Sequence, residues 1–242
     1  MRSPAGRSAH ALLVVLLAAL AALASGCDRS DRQTASDAPQ PQASAPPTRA
    51  PEEDDGRPKV VCLGDSLTAG LGLVESQSYP SVLQRKIDTE ELGFHVVNAG
   101  VSGDTSAGGL RRLDWALQGD VKVLVVALGG NDALRGLSIG EMRQNLSTIV
   151  ERARERNVFV ILAGMQAPPN YGEEYTLAFR QVFDDVARQH RTRFVPFLLE
   201  KVAGDPALNQ PDGIHPNARG AEIVAENVWS TLGPILQQMS TQ

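Results

Sequence analysis

A doubly wound α/β domain, a parallel sheet with helices on both faces, is what this sequence predicts, and three observations predict it. From Lys59 onward, short apolar runs rich in β-branched residues alternate with segments of helical periodicity. The strongest run, 121–128, is nearly continuous Val, Leu and Ala, the pattern of a strand buried on both faces. Polar, glycine-bearing loops follow the strands, where open sheets of this kind bind ligands.

Each element follows from its own residues. Val60-Val61-Cys62-Leu63 is a first strand, broken by Gly64-Asp65-Ser66 before the helix-compatible Leu67-Thr68-Ala69. Residues 79–92 place Val82, Leu83 and Ile87 at helical spacing, and Gly93 ends that helix. Residues 94–97 are a second strand, and Leu110, Leu113, Trp115 and Leu117 belong to a second helix. After the 121–128 strand, residues 138–157 form an amphipathic helix through Met142, Leu146, Ile149 and Val150. Residues 158–162 and 194–197 are further strands around a helix at 174–190. A closing helix at 216–237 carries Ile223, Val224, Val228 and Leu232.

The 242 residues divide into three parts. Residues 1–26 read as a signal peptide: Arg2 and Arg7 precede an apolar stretch at 11–24, and Ala22-Leu23-Ala24 fits a small-x-small cleavage site. Leu23-Ala24-Ser25-Gly26-Cys27 also resembles the lipobox of bacterial lipoproteins, which implies a lipidated Cys27; Ala24 stands where that motif usually has Leu. Asp28 then resembles the signal that retains some lipoproteins in the inner membrane. The rival for Cys27 is a disulfide to Cys62, but Cys62 falls in a predicted buried strand, where a cysteine acts as a small hydrophobe. Residues 27–58, rich in Ala, Pro, Gln, Ser and charge, cannot bury enough apolar surface to fold and read as a tether. Residues 59–242 read as the folded domain, the part in which any catalytic site must lie. The chain is therefore expected to be exported and periplasmic, anchored to a membrane through Cys27, with a soluble or secreted form as the alternative. The net charge of −5 comes without a basic cluster, and aromatics make up only 5%, so neither duplex nor single-stranded nucleic acid is an expected partner.

Four loops carry unusual chemistry: 64–66, 98–104, 129–132 and 211–216. In a doubly wound sheet the carboxyl ends of parallel strands share one side, so loops there converge. Ser66 is a candidate nucleophile, although Asp-Ser before a helix is also an ordinary N-cap. Histidine is assigned by elimination. His10 lies in the leader, His95 in a strand and His190 at a helix end, which leaves His215 in a Gly/Pro-bounded loop. Asp212 precedes it by three residues, a spacing that at the start of a helix makes neighbours. Such a carboxylate can accept from Nδ1–H and leave Nε2 free as a base. Gly103 can present a bare backbone N–H, and Asn131 a side-chain amide, to a developing oxyanion; both also read as plain turn residues.

In order, Gly64-Asp65-Ser66-Leu67-Thr68, Ser102-Gly103-Asp104-Thr105, Gly129-Gly130-Asn131-Asp132 and Asp212-Gly213-Ile214-His215-Pro216 resemble the conserved blocks of the SGNH (GDSL) hydrolases. The segments 128–136 and Pro169-Asn170-Tyr171-Gly172 are most similar to the bacterial arylesterase, thioesterase I and lysophospholipase L1 group. The resemblance implies a three-layer α/β/α fold of flavodoxin type, with Ser66 as nucleophile, His215 as base and Asp212 as its partner. It implies an oxyanion hole from the N–H groups of Ser66 and Gly103 and the Asn131 amide. It also implies an acyl site lined by the 165–175 loop, where Asn170 and Tyr171 are the candidate substrate contacts. No metal or cofactor is implied, and the resembled enzymes are often monomeric.

The expected function is thus hydrolysis of small-molecule or lipid acyl esters. A carbohydrate acetylesterase on the same site, a metal-dependent phosphoesterase using Asp65, Asp132, Asp212 and His215, and a non-catalytic ligand-binding lipoprotein are the alternatives. Gly136-Leu137-Ser138-Ile139-Gly140 matches the G-x-S-x-G elbow of α/β-hydrolases, but no strand ends directly before it. Ser138 with Glu141 reads instead as a capping box.

Overall fold

The computed structural model describes residues 55–241. The leader, Cys27 and nearly all of the tether lie outside the described residues. Residues 55–58, read as the tether's end, already run along the domain. Arg57 Nε donates to Asp55 Oδ2 at 2.7 Å, Arg57 Nη1 to the Phe94 carbonyl at 3.3 Å, and His95 N to the Pro58 carbonyl at 2.9 Å.

Five parallel strands form one sheet in the order β2-β1-β3-β4-β5: β1 (Lys59–Gly64), β2 (His95–Gly100), β3 (Val121–Ala127), β4 (Phe159–Ala163) and β5 (Arg193–Val195). This is the flavodoxin-type order, with its switch point between β1 and β3. The register pairs Gly64 with Gly100 on one side and with Ala127 on the other, so the loops after β1, β2 and β3 leave the sheet level with one another. Val60 to Leu63 and Val123 to Val126 are all at most 1% exposed, which is why both segments read as unbroken apolar runs. Cys62 is a free thiol within β1, and burial pushes it up to about 12, so it serves as packing.

The helices are α1 (Ser66–Ala69), α2 (Tyr79–Thr89), α3 (Ser106–Arg111), α4 (Leu113–Ala116), α5 (Gly130–Leu134), α6 (Ile139–Glu155), α7 (Glu173–His190) and α8 (Ala218–Ser240). α2 packs against α8, and α6 against α3 and α7, giving the two outer layers. Ser138 caps α6 by accepting from Glu141 N at 3.3 Å, which disposes of the G-x-S-x-G match.

The structure departs from the sequence expectation at several elements; β2, expected at 94–97, runs on to Gly100, so the first three residues of the 98–104 loop are strand. The single helix expected around 110–117 starts earlier, at Ser106, and breaks in two at Arg112. Its early start contains Gly108-Gly109, poor helix formers that are needed here, since a Cβ on Gly109 would lie 2.2 Å from Leu128 Cδ1. The loop at 129–132 is in fact the first turn of a short helix, α5. β5 ends at Val195 rather than 197 because Pro196 has no N–H to donate to the ladder. α8 begins at Ala218, capped by Asn217 accepting from Gly220 N at 3.0 Å, so Asp212 and His215 lie before the helix rather than on it.

Candidate active site

Asp65 and Ser66 stand at the switch point. Asp65 is the N-cap of α1, its Oδ1 accepting from Leu67 N at 3.0 Å. Ser66 is the first helical residue, and a first-turn N–H has no acceptor within its own helix. The cap reading and the nucleophile reading therefore fall on adjacent residues. Capping is done by Asp65, which leaves the Ser66 hydroxyl for other partners.

That hydroxyl lies 2.9 Å from His215 Nε2, across 149 positions of sequence. His215 Nδ1 lies 2.7 Å from Asp212 Oδ2. The pair meets through a tight turn: Ile214 N and His215 N both donate to Asp212 Oδ1 at 3.0 Å. These backbone donors, with the imidazole, hold the Asp212 carboxyl down at about 2. A carboxylate can only accept, so Nδ1 carries the proton and Nε2 faces Ser66 with its lone pair. The His215 side chain is 14% exposed and Asp212 45%, so the acid closes the chain from the solvent side.

Gly103 sits in a turn closed by Asp104 N donating to the Val101 carbonyl at 3.0 Å, with φ +81°, a conformation open to glycine at little cost. Asn131, in the first turn of α5, donates from Nδ2 to the Asp104 carbonyl at 2.9 Å and to Asp65 Oδ2 at 3.1 Å. In the resting site its amide is thus engaged on both hydrogens. Ser66, Gly103, Asn131 and His215 line one cavity of about 510 Å³, within the range of small-molecule sites. Among the described residues its ionisable lining groups are Asp65 and His215, and Leu67, Leu71, Leu134, Met165, Phe197 and Leu199 supply much of its apolar wall.

The loop after β4 contributes Met165, Gln166, Ala167 and Pro168 to the wall. Asn170 and Tyr171 do not line the cavity. Tyr171 stacks on Tyr175 with ring centroids 5.4 Å apart and donates its hydroxyl to the Leu134 carbonyl at 3.1 Å, so it braces a wall residue from outside. Phe197, read as the end of a strand, and Leu199, in a stretch with no periodicity to place it, are wall residues that the sequence reading did not find. The carboxylates considered as metal ligands are dispersed. Asp132 is spent on Ser106, accepting from its N at 2.8 Å and its Oγ at 2.6 Å. Among the described residues no group of three or more His, Cys, Asp or Glu side chains is placed to share a metal ion.

Burial raises the Asp65 carboxyl from 3.8 to about 6, against the opposing pull of the Leu67 N–H, His215 and Asn131. The folded chain therefore holds this proton to higher pH than the unfolded chain does. Between about pH 4 and pH 6, raising the pH removes stability, by about 3 kcal/mol for a carboxyl displaced this far. Asp65→Asn cannot ionise. Its melting temperature relative to wild type is expected to climb between pH 4 and pH 7, whatever the offset at pH 4, by about 2–4 °C per kcal/mol. A difference that stays flat over that range would show Asp65 to be ordinary.

The profile of the GDSL-like lipase/acylhydrolase family matches residues 62–223. The esterase TesA of Pseudomonas aeruginosa is 46% identical over 178 residues, 73% of this chain and 89% of the relative. The thioesterase 1/protease 1/lysophospholipase L1 of Escherichia coli K12 is 35% identical over 182 residues, 75% of this chain and 86% of the relative. Among solved structures, the psychrotrophic esterase EstA from a Pseudoalteromonas species, inhibited by monoethylphosphonate, superposes with a TM-score of 0.70 at 32% identity, covering 74% of this chain and 98% of that one. By the matched profile, the shared fold and these identities, the chain belongs to the GDSL (SGNH) hydrolase family.

Proposed function

We propose that this protein is a serine esterase that hydrolyses acyl esters through Ser66, His215 and Asp212. The observation that carries the reading is the continuous relay from Asp212 Oδ2 through both imidazole nitrogens to Ser66 Oγ, at 2.7 and 2.9 Å, opening on an apolar cavity. Ser66 Oγ attacks the acyl carbonyl as its proton passes to His215 Nε2. The oxyanion is met by the N–H groups of Ser66 and Gly103 and by the Asn131 amide, which turns one hydrogen from Asp65 to the substrate. His215 protonates the leaving alcohol or thiol, then activates the water that releases the acid. A wall that is largely apolar, with Asp65 and His215 as its ionisable groups among the described residues, suits uncharged acyl groups, so aryl esters, lysophospholipids and acyl thioesters are the substrate classes assigned. The relatives' names, esterase, thioesterase and lysophospholipase, point the same way.

On its sequence alone the leader assigns the enzyme to the cell envelope, anchored by a lipid on Cys27 at the end of a tether. One experiment on protein recovered from its own envelope tests both halves of the proposal. A fluorophosphonate probe is expected to add once, on the peptide bearing Ser66, because only an activated serine reacts. The intact mass is expected to include a lipidated Cys27. No labelling, or labelling elsewhere, defeats the esterase reading; a mature chain starting unmodified at Ser25 defeats the anchor.

A further inference from the structure

Arg112 takes no part in the relay, and the sequence gives it no role, since an arginine in an apolar-periodic segment reads as solvent face. Its placement is otherwise: the side chain is 14% exposed, and all three kinds of guanidinium nitrogen are engaged. Nη2 donates to the Gly64 carbonyl at 2.8 Å, Nη1 to the Ala99 carbonyl at 2.7 Å, and Nε to Asp104 Oδ2 at 2.6 Å. Gly64 ends β1 two residues before Ser66. Ala99 is in the last turn of pleat of β2, from which the chain runs to Gly103. Asp104 follows Gly103 directly, is itself 13% exposed, and presents its carbonyl to Asn131 Nδ2 at 2.9 Å. The Gly64 carbonyl also accepts from Val101 N at 3.0 Å, which ties the two strand ends together on the same oxygen.

We infer that Arg112 is a positioning residue of the oxyanion hole: one guanidinium ties the segment that carries the Ser66 N–H to the one that carries the Gly103 N–H, and Asp104, held by the same guanidinium, accepts from the Asn131 amide. The inference rests on the esterase reading and goes beyond it, because Arg112 touches no substrate and lies outside the relay. Oxyanion donors act through preorganisation, so a displacement that leaves the fold intact still lowers the chemical step. The guanidinium's planar fork suits acceptors lying in three directions. A lysine ammonium, a single nitrogen on a flexible stem, cannot reproduce that geometry although it keeps the charge. The break between α3 and α4 at Arg112 lies where this side chain reaches back to the strand ends.

The test is the kinetics of Arg112→Lys and Arg112→Ala on a p-nitrophenyl ester, below the melting temperature of each. Both are expected to lose kcat by about 10- to 100-fold with KM changed by less than about threefold. Millimolar methylguanidinium is expected to restore part of the Arg112→Ala kcat, and methylammonium is not. A brace that only stabilised the sheet would lower the melting temperature and leave kcat alone. A kcat within about twofold of wild type in either folded variant therefore overturns the inference. If Arg112→Ala does not fold, Arg112→Lys decides on the kcat and KM readout. Wild type and Ser66→Ala run beside them keep the two ideas apart. Turnover that depends on Ser66 but not on Arg112 sinks the inference alone, whereas turnover that ignores Ser66 sinks the esterase reading and the inference with it.

Discussion

Replacing Ser66 by alanine is expected to lower kcat toward a short-chain p-nitrophenyl ester by about 10⁴-fold or more, while moving the melting temperature by little. The size follows from the role. Loss of the attacking oxygen leaves only binding and the oxyanion donors, and in serine hydrolases generally the nucleophile alone accounts for most of the relay's effect. The small structural effect follows from the contacts. The side-chain bond of Ser66 is the one to His215 Nε2. The cap of α1 is Asp65, and alanine is a better helix former than serine, so stability should stay within roughly 0.5 kcal/mol. Calorimetry beside initial rates measures both. Turnover within tenfold of wild type, in a preparation free of wild-type enzyme, would transfer the chemistry to another group.

What made the site legible was the rule that loops after parallel strands share one edge. Ser66, Gly103, Asn131 and His215 arrive from four parts of the chain, and the level register of Gly64 with Gly100 and Ala127 brings the first three loops out together. Strands buried on both faces were legible for a related reason, since Val60 to Leu63 and Val123 to Val126 need no polar face. Irregular packing was not. The glycines of α3 argued against a helix locally, and only the nearby Leu128 side chain shows why they belong in one. Leu199 reaches the cavity from a stretch with no repeat to place it, and Arg112 donates to carbonyls of two strand ends that no linear reading brings beside it.

Asp65 shows what the arrangement asks of the fold. A carboxyl titrating at about 6 is largely ionised at neutral pH in a site only 3% exposed, so the folded state carries an unfavourable charge there. That charge accepts from Leu67 N and Asn131 Nδ2, the two groups that fix the start of α1 and the orientation of the amide. The residue that lowers stability thus also caps the helix that begins at Ser66 and orients the Asn131 amide.

The second large effect belongs to the turn before α8. His215→Ala is expected to match Ser66→Ala, with a loss of about 10⁴- to 10⁶-fold in kcat, because a nucleophile without its base is an ordinary alcohol. Asp212→Asn is the sharper test, since it changes one atom. Ile214 N and His215 N both donate to Oδ1, so those two backbone groups dictate where the remaining amide oxygen must point. The new NH₂ is then aimed at His215 Nδ1, at the position where Oδ2 now lies 2.7 Å away. Facing a donor, Nδ1 gives up its hydrogen and Nε2 takes one, so the lone pair that would accept the Ser66 proton is gone. A loss of about 10³- to 10⁴-fold in kcat is expected, with KM and fold retained because the turn keeps its acceptor. The acid side of the wild-type pH profile carries the same logic. Asp212 is held down at about 2, so a fall in kcat/KM at mildly acid pH does not come from protonation of Asp212. An Asp212→Asn enzyme within tenfold of wild type would remove the carboxylate from the relay and leave His215 to act unaided.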